Sequence, residues 1–349
     1  MNKIPLIIRS DANTDIGIGH IMRCVALTEE LLRNDFDVTI LGNVESDKIK
    51  KLLKNNFKLK SISKIFPANE DLVEIKKLIL EIQAKWVIID GYHFDQQYLQ
   101  ELKSLTNVLL FDDFVHLEYY PVNIILNQNT DLYKDNYKTY KKTIKLNGLE
   151  YVILRDEFIQ SRKTHKTVKK IAENLLITIG GSDKSNITFK IIKAINQLKS
   201  FAFKVKIVVG PVNIHYQEIN DLVKNSNVSS NHNFDLITGN FNLSDLMNWS
   251  DIAITASGTT IWELAFMGVS FLYLKVEENQ EVIVNELKKN NLGLYLGDGS
   301  NIVIEDVSKQ INNLTKNYEI RKMFSQTGQA LIDGKGKKRI LENLKAFKV

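Results

Sequence analysis

Residues 4–32 read IPLIIRSDANTDIGIGHIMRCVALTEELL, in which an apolar run is followed by a polar turn and an amphipathic stretch. This order is typical of a strand, a phosphate-binding turn and a helix. The free N–H groups and the dipole at the start of a helix favour an anionic ligand, and glycine lets the backbone approach it closely. The sequence therefore predicts a ligand-binding turn, although Gly17 and Gly19 could serve only to make the turn tight.

His20 falls in the first turn of the predicted helix. An imidazole at that place can act as a general base, because histidine side chains titrate near neutral pH. The alternative is a surface or helix-capping histidine. Cys24 lies one helical turn further on, so a Cys/His nucleophile pair is conceivable, but a small buried hydrophobe is the more common role of a lone cysteine.

The composition narrows the class of protein. The chain has 349 residues, enough for two domains, with 44% hydrophobic and 25% charged residues. Its 46 Lys and Arg against 41 Asp and Glu give a net charge of +5, spread along the chain, which favours small anions over nucleic acid as partners. The N-terminus lacks the pattern of a signal peptide, and no apolar stretch approaches the roughly 20 residues of a membrane-spanning helix. We therefore expect a cytoplasmic protein with no membrane partner.

Short apolar runs rich in β-branched residues alternate with amphipathic segments along the chain. Strands are predicted at 4–8, 38–41, 86–89, 108–111 and 122–126, and again at 175–179, 205–209, 252–255 and 271–274. The polar stretch 130–145 interrupts the pattern, and a basic linker at 162–170 precedes its restart. We expect an α/β protein of two facing doubly wound, Rossmann-like domains at 1–160 and 161–330, with a C-terminal helix in 331–349 that could pack back on the first domain.

Seven polar turns follow the predicted strands, at the edge where open α/β sheets bind ligands. They contain Asp11 with His20, Asp90-Gly91-Tyr92, Asp112-Asp113, Asn127-Gln128, Gly180-Gly181-Ser182-Asp183, Ser257-Gly258-Thr259-Thr260 and Asn279-Gln280. Any one of these turns would be weak evidence of a ligand site, since Asp, Asn and Gly are common where strands end. Their repetition at corresponding positions predicts a ligand site in each half. The acidic pair could hold a divalent metal, or else cap a helix or orient a basic group.

The turn at 257–260 can hold a diphosphate without a metal, because it presents N–H groups and hydroxyls at the start of a helix. Glu263 lies about one turn further on, where a carboxylate could accept two hydrogen bonds from a ribose diol. The alternative makes Thr259 an N-cap and Glu263 a partner of the helix dipole. The nucleotide interpretation fits the remainder of the pattern better, and it requires neither a cofactor nor a metal.

In chain order these motifs resemble one family. The matching elements are Arg9-x-Asp11, Gly17-x-Gly19-His20-x-x-Arg23-Cys24, Asp90-x-Tyr92, Asp112-Asp113, Leu126-Asn127-Gln128, Gly148-x-x-Tyr151-x-x-Leu154-Arg155-x-x-Phe158, Gly180-Gly181-Ser182-Asp183-x-x-Asn186-x-Thr188, Ser257-Gly258-Thr259-Thr260-x-x-Glu263, Asn279-Gln280 and Asp333-Gly334-x-Gly336-x-x-Arg339. They resemble the UDP-2,4-diacetamido-2,4,6-trideoxy-β-L-altropyranose hydrolases of pseudaminic acid biosynthesis, a family that also includes spore-coat polysaccharide biosynthesis proteins.

The resemblance implies a GT-B-type architecture and a reaction in which water replaces UDP at the anomeric carbon with inversion. It implies that His20 activates the water, that Tyr92 and Asn279 position substrate or water, and that Glu263 binds the ribose. Main-chain groups near Asn242 and Leu243 would bind the uracil. The other expected substrate-binding residues are Arg9, Asp11, Gly17, Gly19, Asp90, Gly180, Gly181, Ser182, Ser257, Gly258, Thr259, Thr260 and Gln280.

Two other classes stay open at this point. A glycosyltransferase of the same fold would keep the UDP site and add an acceptor groove, and a non-catalytic protein could only bind the nucleotide sugar. The sequence shows no clear apolar or basic patch for a lipid acceptor. We therefore expect a monomeric, metal-independent UDP-sugar hydrolase that has a small molecule as its partner.

Overall fold

The structure is a computed structural model that describes residues 3–13, 16–162, 166–181, 183–210, 213–239 and 241–347. Two compact units divide the chain. Unit 1 consists of Met1–Arg155 and Gly334–Val349, and unit 2 consists of Asp156–Asp333. Each unit is built on one parallel β-sheet, so the expected class, α/β with two doubly wound sheets, is confirmed.

Unit 1 contains seven strands and four helices from the first part of the chain. The strands are β1 (Ile4–Ser10), β2 (Phe36–Gly42), β3 (Lys58–Ser61), β4 (Trp86–Asp90), β5 (Asn107–Phe111), β6 (Ile124–Asn127) and β7 (Ile144–Asn147). The helices are α1 (Gly19–Leu32), α2 (Asp47–Asn56), α3 (Asn69–Ile82) and α4 (Gln96–Lys103). The sheet order is β3-β2-β1-β4-β5-β6-β7. The stretch 130–145, expected only to interrupt the pattern, holds a short 3-10 helix and leads into β7.

The central strands of unit 1 are apolar up to their last one or two residues because helices cover both faces of the sheet. Leu6 and Ile8 of β1 belong to one buried cluster, together with Cys24 of α1. Ile7, which points the other way, belongs to a second cluster with Ile75 of α3. Burial on both sides accounts for the continuous apolar run at the start of the sequence.

Unit 2 repeats the plan with six strands. They are β8 (Asn174–Thr178), β9 (Lys204–Val208), β10 (Asn233–Ile237), β11 (Ile252–Ala256), β12 (Ser270–Lys275) and β13 (Leu294–Asp298), in the order β10-β9-β8-β11-β12-β13. The helices are α5 (Asp156–Ser161), α6 (Ile187–Asn196), α7 (Tyr216–Ser229), α8 (Leu243–Trp249), α9 (Thr260–Met267), α10 (Glu281–Lys289), α11 (Ile304–Lys316) and α12 (Tyr318–Leu331).

The last helix, α13 (Gly336–Ala346), belongs to unit 1. Its apolar face buries Ile340, Leu341 and Leu344 in the cluster that contains α1. Gly336 is required where α13 begins, since a Cβ atom there would lie 2.2 Å from the carbonyl oxygen of Val152. The chain therefore returns to the core of unit 1 after completing unit 2.

Both sheets reverse direction of winding at one point, between β1 and β4 in unit 1 and between β8 and β11 in unit 2. Open α/β sheets bind ligands beside the carboxyl ends of the strands at such a switch point. The turns after these four strands are therefore where a ligand is expected to bind. Among the described helices, none is both long and apolar enough to cross a membrane.

Candidate active site

His20 and Asp90 form a hydrogen-bonded pair across the switch point of unit 1. His20 lies in the first turn of α1, directly after β1, and Asp90 is the last residue of β4, opposite Ser10 in the register of the sheet. The Nδ1 atom of His20 lies 2.6 Å from Oδ1 of Asp90. The carboxylate is fully buried, whereas 13% of the histidine side chain is exposed. The pair thus joins two segments that are 70 positions apart.

Arg23 clamps the carboxylate of Asp90 from the next turn of α1. Its Nε atom donates to Oδ2 at 2.7 Å and its Nη2 atom donates to Oδ1 at 2.6 Å. Its Nη1 atom donates to Asp113 at 2.9 Å. Burial alone would raise the pKa of Asp90, but the charge of Arg23 and the contact with His20 hold it well below its ordinary value. Asp90 therefore stays ionised wherever the protein is folded near neutral pH.

An ionised carboxylate at Nδ1 fixes the tautomer of His20, because it accepts a hydrogen bond only from a protonated nitrogen. The Nη2 atom of Arg23 lies 3.3 Å from the same nitrogen, but this contact is then not a hydrogen bond, because both nitrogens carry protons. The Nε2 atom of His20 has no partner among the described residues and carries the free lone pair. An imidazole oriented in this way by a carboxylate is the arrangement of a general base.

Tyr92 adjoins this pair. It follows β4, and its ring meets that of His20 edge-on with centroids 4.7 Å apart. Its hydroxyl donates to Oδ2 of Asp113, which also accepts from Nη1 of Arg23. The other oxygen of Asp113, Oδ1, accepts from the side-chain amide of Asn129 at 2.7 Å. Burial, together with the charge of Asp113, raises the pKa of Tyr92 well above its ordinary value, so the group remains a neutral phenol. The structure thus brings two of the three predicted catalytic residues together.

Three side chains that were expected to bind substrate are instead buried supports. Arg9, Asp11 and Asp90 are each 0% exposed. Arg9 lies between Asp11, at 2.6 Å, and Asp71, and the backbone N–H of Asn43 donates to Asp11 at 2.7 Å. Because a fully enclosed side chain cannot reach a ligand, the structure assigns these groups to positioning their neighbours.

Gly17 serves the geometry of the first turn. Its φ is +77°, which an L side chain rarely adopts, and its N–H donates to the carbonyl of Asn13 at 2.9 Å. The side chain of Asn13 accepts from the N–H of Ile16 at 2.8 Å. Gly19 is exposed at the start of α1 and has open space where a Cβ would be. Of the two glycines, Gly17 is the one that the backbone requires.

The alternatives for Cys24 and for the acidic pair are decided by their contacts. Cys24 is buried, its thiol donates to Asp90 at 3.4 Å, and burial with the charge of Asp90 raises its pKa, which disfavours the thiolate needed in a nucleophile. Asp112 accepts from the N–H of Val115 at 2.6 Å, and Asp113 orients Arg23. Within the described ranges no group of three or more His, Cys, Asp or Glu residues could hold a metal ion.

In unit 2 the turn after β11 is tied down at its first two residues. The N–H and the hydroxyl of Ser257 both donate to the carbonyl of Leu274, at 2.9 and 2.8 Å, and the N–H of Gly258 donates to Ala256. The expectation that these two residues present free donors is therefore wrong. The N–H groups of Thr259 and Thr260, in contrast, make no hydrogen bond within the described part of the chain.

The start of α9 keeps the donors that an anion needs. The alternative interpretation of the sequence made Thr259 a helix cap. Thr259 does occupy the N-cap position, but its side chain makes no capping hydrogen bond. Glu263, in the first turn of α9, is 9% exposed. The positive end of the helix dipole adds to the attraction of the two amides for a diphosphate.

The turn after β8 lies beside the turn after β11 because these strands are paired. Gly180 has a φ of +106° with open space around it, and the backbone of Gly181 packs against Gly210, where a Cβ would lie 2.2 Å from the Gly181 oxygen. Asp183 caps α6 by accepting the N–H groups of Ile187 and Thr188 at 2.8 and 3.0 Å. Ser182 lies outside the described residues.

The remaining predicted residues of unit 2 follow other strands. Asn279 is exposed in the short 3-10 helix after β12, which pairs with β11. The side-chain oxygen of Gln280 accepts the N–H of Val276 at 2.8 Å and so holds this loop. Leu243 begins α8 after the edge strand β10, and Asn242 caps that helix.

Sequence reasoning named the Asp112-Asp113 turn as a candidate that could orient a basic group, but it gave Arg23 no role in the site. A signal for Arg23 was present, because residues three apart on a helix share a face and His20 had already been singled out. The acidic pair after β5 was a signal for Asp113, but its contact with Arg23 was not predictable, since only the pairing of strands brings the two residues together. The tertiary contacts therefore add the charged support behind the predicted base.

Comparison with known proteins finds one family model and several relatives that are similar to this chain. The family described as lipid-A-disaccharide synthetase matches residues 149–295. The spore coat polysaccharide biosynthesis protein SpsG of Bacillus subtilis is 24% identical over 330 residues, 94% of each chain. A UDP-2,4-diacetamido-2,4,6-trideoxy-beta-L-altropyranose hydrolase of Campylobacter jejuni is 25% identical over 289 residues, 81% of this chain and 96% of that one. The uncharacterized protein MJ1062 of Methanocaldococcus jannaschii is 28% identical over 87% of this chain, which spans 66% of that relative's length.

Solved structures show the same architecture. MurG of Acinetobacter baumannii superposes with a TM-score of 0.67 and 11% identity, covering 98% of this chain and 99% of that one. The spinosyn rhamnosyltransferase SpnG, complexed with thymidine diphosphate, gives a TM-score of 0.65 and 13% identity over 98% of this chain and all of that one. At such identities the likeness shows the fold alone: two Rossmann-like domains of the GT-B type.

Proposed function

We propose that this protein is a UDP-sugar hydrolase. It releases UDP and a free 2,4-diacetamido-2,4,6-trideoxyhexose by attack of water at the anomeric carbon, in the biosynthesis of a nonulosonic acid such as pseudaminic acid. The observation that carries the proposal is the pair of His20 and Asp90, held by Arg23 at the switch point with Nε2 of the imidazole free. The relative named as such a hydrolase supports the choice of substrate.

The chemical step needs one proton acceptor. Nε2 of His20 takes a proton from water as the water oxygen forms a bond to the anomeric carbon. The bond between that carbon and the diphosphate oxygen breaks, and its electron pair leaves with UDP. Attack on the face opposite the leaving group inverts the configuration. Asp90 stabilises the imidazolium that forms, and Tyr92 positions the sugar or the water beside His20.

The leaving group needs positive partners more than an acid. UDP leaves as a stable anion, so no second carboxylic acid of the glycosidase type is required. The N–H groups of Thr259 and Thr260 and the dipole of α9 would stabilise the charge that develops on the diphosphate. Glu263 would bind the ribose, main-chain groups near Leu243 the uracil, and Asn279 the substrate or the water.

The decisive experiment omits any acceptor. Purified protein is incubated with UDP-2,4-diacetamido-2,4,6-trideoxy-L-altrose, and release of UDP is followed in water enriched in oxygen-18. We expect one UDP for each free sugar, with the heavy oxygen in the sugar and none in UDP. Release of UDP labelled with oxygen-18 would place the cleavage at phosphorus and contradict the mechanism.

A glycosyltransferase is the second candidate, because the family that matches residues 149–295 is a synthetase of lipid-A disaccharide and the structures cited above include a rhamnosyltransferase. A transferase would release UDP slowly without an acceptor and rapidly with one. Rapid release in water alone therefore separates the two candidates.

A further inference from the structure

A second histidine and carboxylate pair crosses the same switch point in the opposite direction. His93 follows β4, and its Nε2 atom lies 3.2 Å from Oδ2 of Asp11, which follows β1. In the first pair the histidine follows β1 and the carboxylate ends β4. The two pairs thus place His20 and His93 at the carboxyl ends of the same two adjacent strands.

The carboxylates behind His93 carry more negative charge than Arg9 neutralises. Arg9 contacts both Asp11 and Asp71, and all three side chains are 0% exposed. Asp71 also accepts the hydroxyl of Tyr98 at 2.7 Å and the N–H of Phe66 at 2.9 Å, which are neutral donors. One cation therefore faces two anions in this cluster. A ligand that carries a diphosphate charge would be repelled near His93, whereas a neutral sugar would not.

His93 has one ring nitrogen against Asp11, and its side chain is partly exposed. Its ring lies on that of Phe94 with centroids 4.0 Å apart, which limits its orientation. The Nε2 atom of His93 and Oδ2 of Asp11 lie 3.2 Å apart, and neither atom has another hydrogen-bond partner among the described residues. The side chain is 21% exposed, and no hydrogen bond to its Nδ1 atom is found in the part of the chain that the structure describes.

The two histidines differ in how firmly they are held. The contact of His20 with Asp90 is 2.6 Å and that of His93 with Asp11 is 3.2 Å, and Arg23 reinforces only the first. A general base needs the fixed geometry of the shorter pair. A group that only binds a polar atom of the substrate can be held more loosely.

We propose that His93 binds the sugar part of the substrate through Nδ1, at a hydroxyl or acetamido group, while His20 alone takes the proton. The assignment rests on the proposed function for the identity of the ligand as a nucleotide sugar. It makes His93 a residue that determines which sugar is accepted.

The test measures binding without turnover. Calorimetry on the His20→Asn protein measures the affinity for UDP-2,4-diacetamido-2,4,6-trideoxy-L-altrose and for UDP. The same two affinities are measured after His93→Phe or His93→Asn is added. Phenylalanine keeps the ring on Phe94 and removes the nitrogens, whereas asparagine keeps a short polar group. We expect His93→Phe to bind the UDP-sugar about tenfold more weakly, as for the loss of one net hydrogen bond, and to bind UDP unchanged. We expect His93→Asn to recover most of the affinity.

Other outcomes overturn the assignment. Equal weakening of UDP and UDP-sugar would show that His93 acts on the nucleotide or on folding, and unchanged binding of the UDP-sugar would show that it contacts no sugar. With His20 intact, His93→Phe should raise KM about tenfold, in line with one lost hydrogen bond, while kcat and its pH dependence stay within a few-fold. A loss of kcat as large as that of His20→Asn would make His93 the base. The proposed function fails separately, if wild type releases no UDP from this sugar in water.

Discussion

The two switch points have the same strand topology, but charged side chains form the contacts at one and neutral hydrogen bonds form them at the other. At the edge of unit 1, Asp90, Asp113 and Arg23 form a buried ionic network that orients an imidazole. At the edge of unit 2, Ser257 and Gly258 tie down a turn through neutral hydrogen bonds, which leaves the backbone amides at the start of α9 unpaired within the described residues. The fold supplies the place, and the side chains decide what can happen there.

This difference matches the two tasks of a nucleotide-sugar hydrolase. Moving a proton requires a group with a fixed tautomer, and an ionised carboxylate in a buried setting fixes it. Binding a diphosphate requires several donors at fixed positions, which a helix N-terminus provides without added charge. The comparison predicts that variants of His20 and its ionic network in unit 1 change turnover or stability, and that variants in unit 2 change the binding of UDP.

The largest effect is expected at His20. His20→Asn should retain the fold and the affinity for UDP but lose about 10² to 10⁴ in turnover, because the proton acceptor is gone. The rate of UDP release from the UDP-sugar, compared between the variant and wild type, checks the loss, and calorimetric titration with UDP checks the affinity. His215→Asn, the same change at the surface of unit 2, should leave turnover unaltered, and folded His20→Asn with a rate within a few-fold of wild type would remove His20 as the base.

The next effect is on stability. Asp90→Asn should lower the free energy of unfolding of unit 1 by about 3 to 5 kcal/mol at neutral pH, because Arg23 loses a buried partner. The pKa of Asp90 lies well below its ordinary 3.8 in the folded chain, so its stabilisation is present above about pH 4 and lost as the pH falls further. The variant should lose that part of the acid sensitivity.

Hydrogen exchange resolves this prediction by region. We expect faster exchange in β1 and β4 of the Asp90→Asn protein and unchanged exchange in β8 and β11. Asp235→Asn, at an exposed aspartate of unit 2, is the matched control and should change neither. Equal destabilisation of both units would mean that the ionic network does not act locally.

A smaller effect is expected in UDP binding. Glu263→Ala should weaken the binding of UDP by about 1 to 3 kcal/mol, the range for the loss of hydrogen bonds to a charged group. Glu305→Ala, which also removes a glutamate from the first turn of a helix in unit 2, should leave UDP affinity unchanged. Calorimetric titration measures both, and an unaltered affinity in folded Glu263→Ala would exclude this residue from the ribose site.

The smallest effect is expected from chelation. Oδ1 of Asp112 accepts backbone N–H groups and its Oδ2 lies 2.6 Å from Nδ1 of His116, while Asp113 accepts from Arg23 and Tyr92. The proposal therefore assigns the diphosphate to backbone amides instead of a metal. A chelator should leave the rate of UDP release nearly unchanged. Activity lost to the chelator and restored by magnesium would show that the amides of unit 2 do not suffice.

The sequence predicted the interior of both sheets but not their edges. All nine predicted strands are present in the central positions, whereas β3, β7, β10 and β13, the outermost strands, were not anticipated. The residues of β13 are all only partly buried, while those of β11 are all buried. A continuous apolar run marks a strand whose two faces are both buried. An edge strand has a neighbour on one side only and buries less of its surface, so its sequence pattern is weaker.

The local order of residues by itself determined the alternation of strands and helices and the place of His20 at the start of α1, because these follow from short-range periodicity and turn chemistry. Only the tertiary structure decided the partners of His20 and Arg23, since Asp90 and Asp113 reach them through strand pairing across 67 to 90 positions. It also decided that Arg9 and Asp11 are enclosed, because burial depends on what the whole sheet packs against and not on neighbours in the chain.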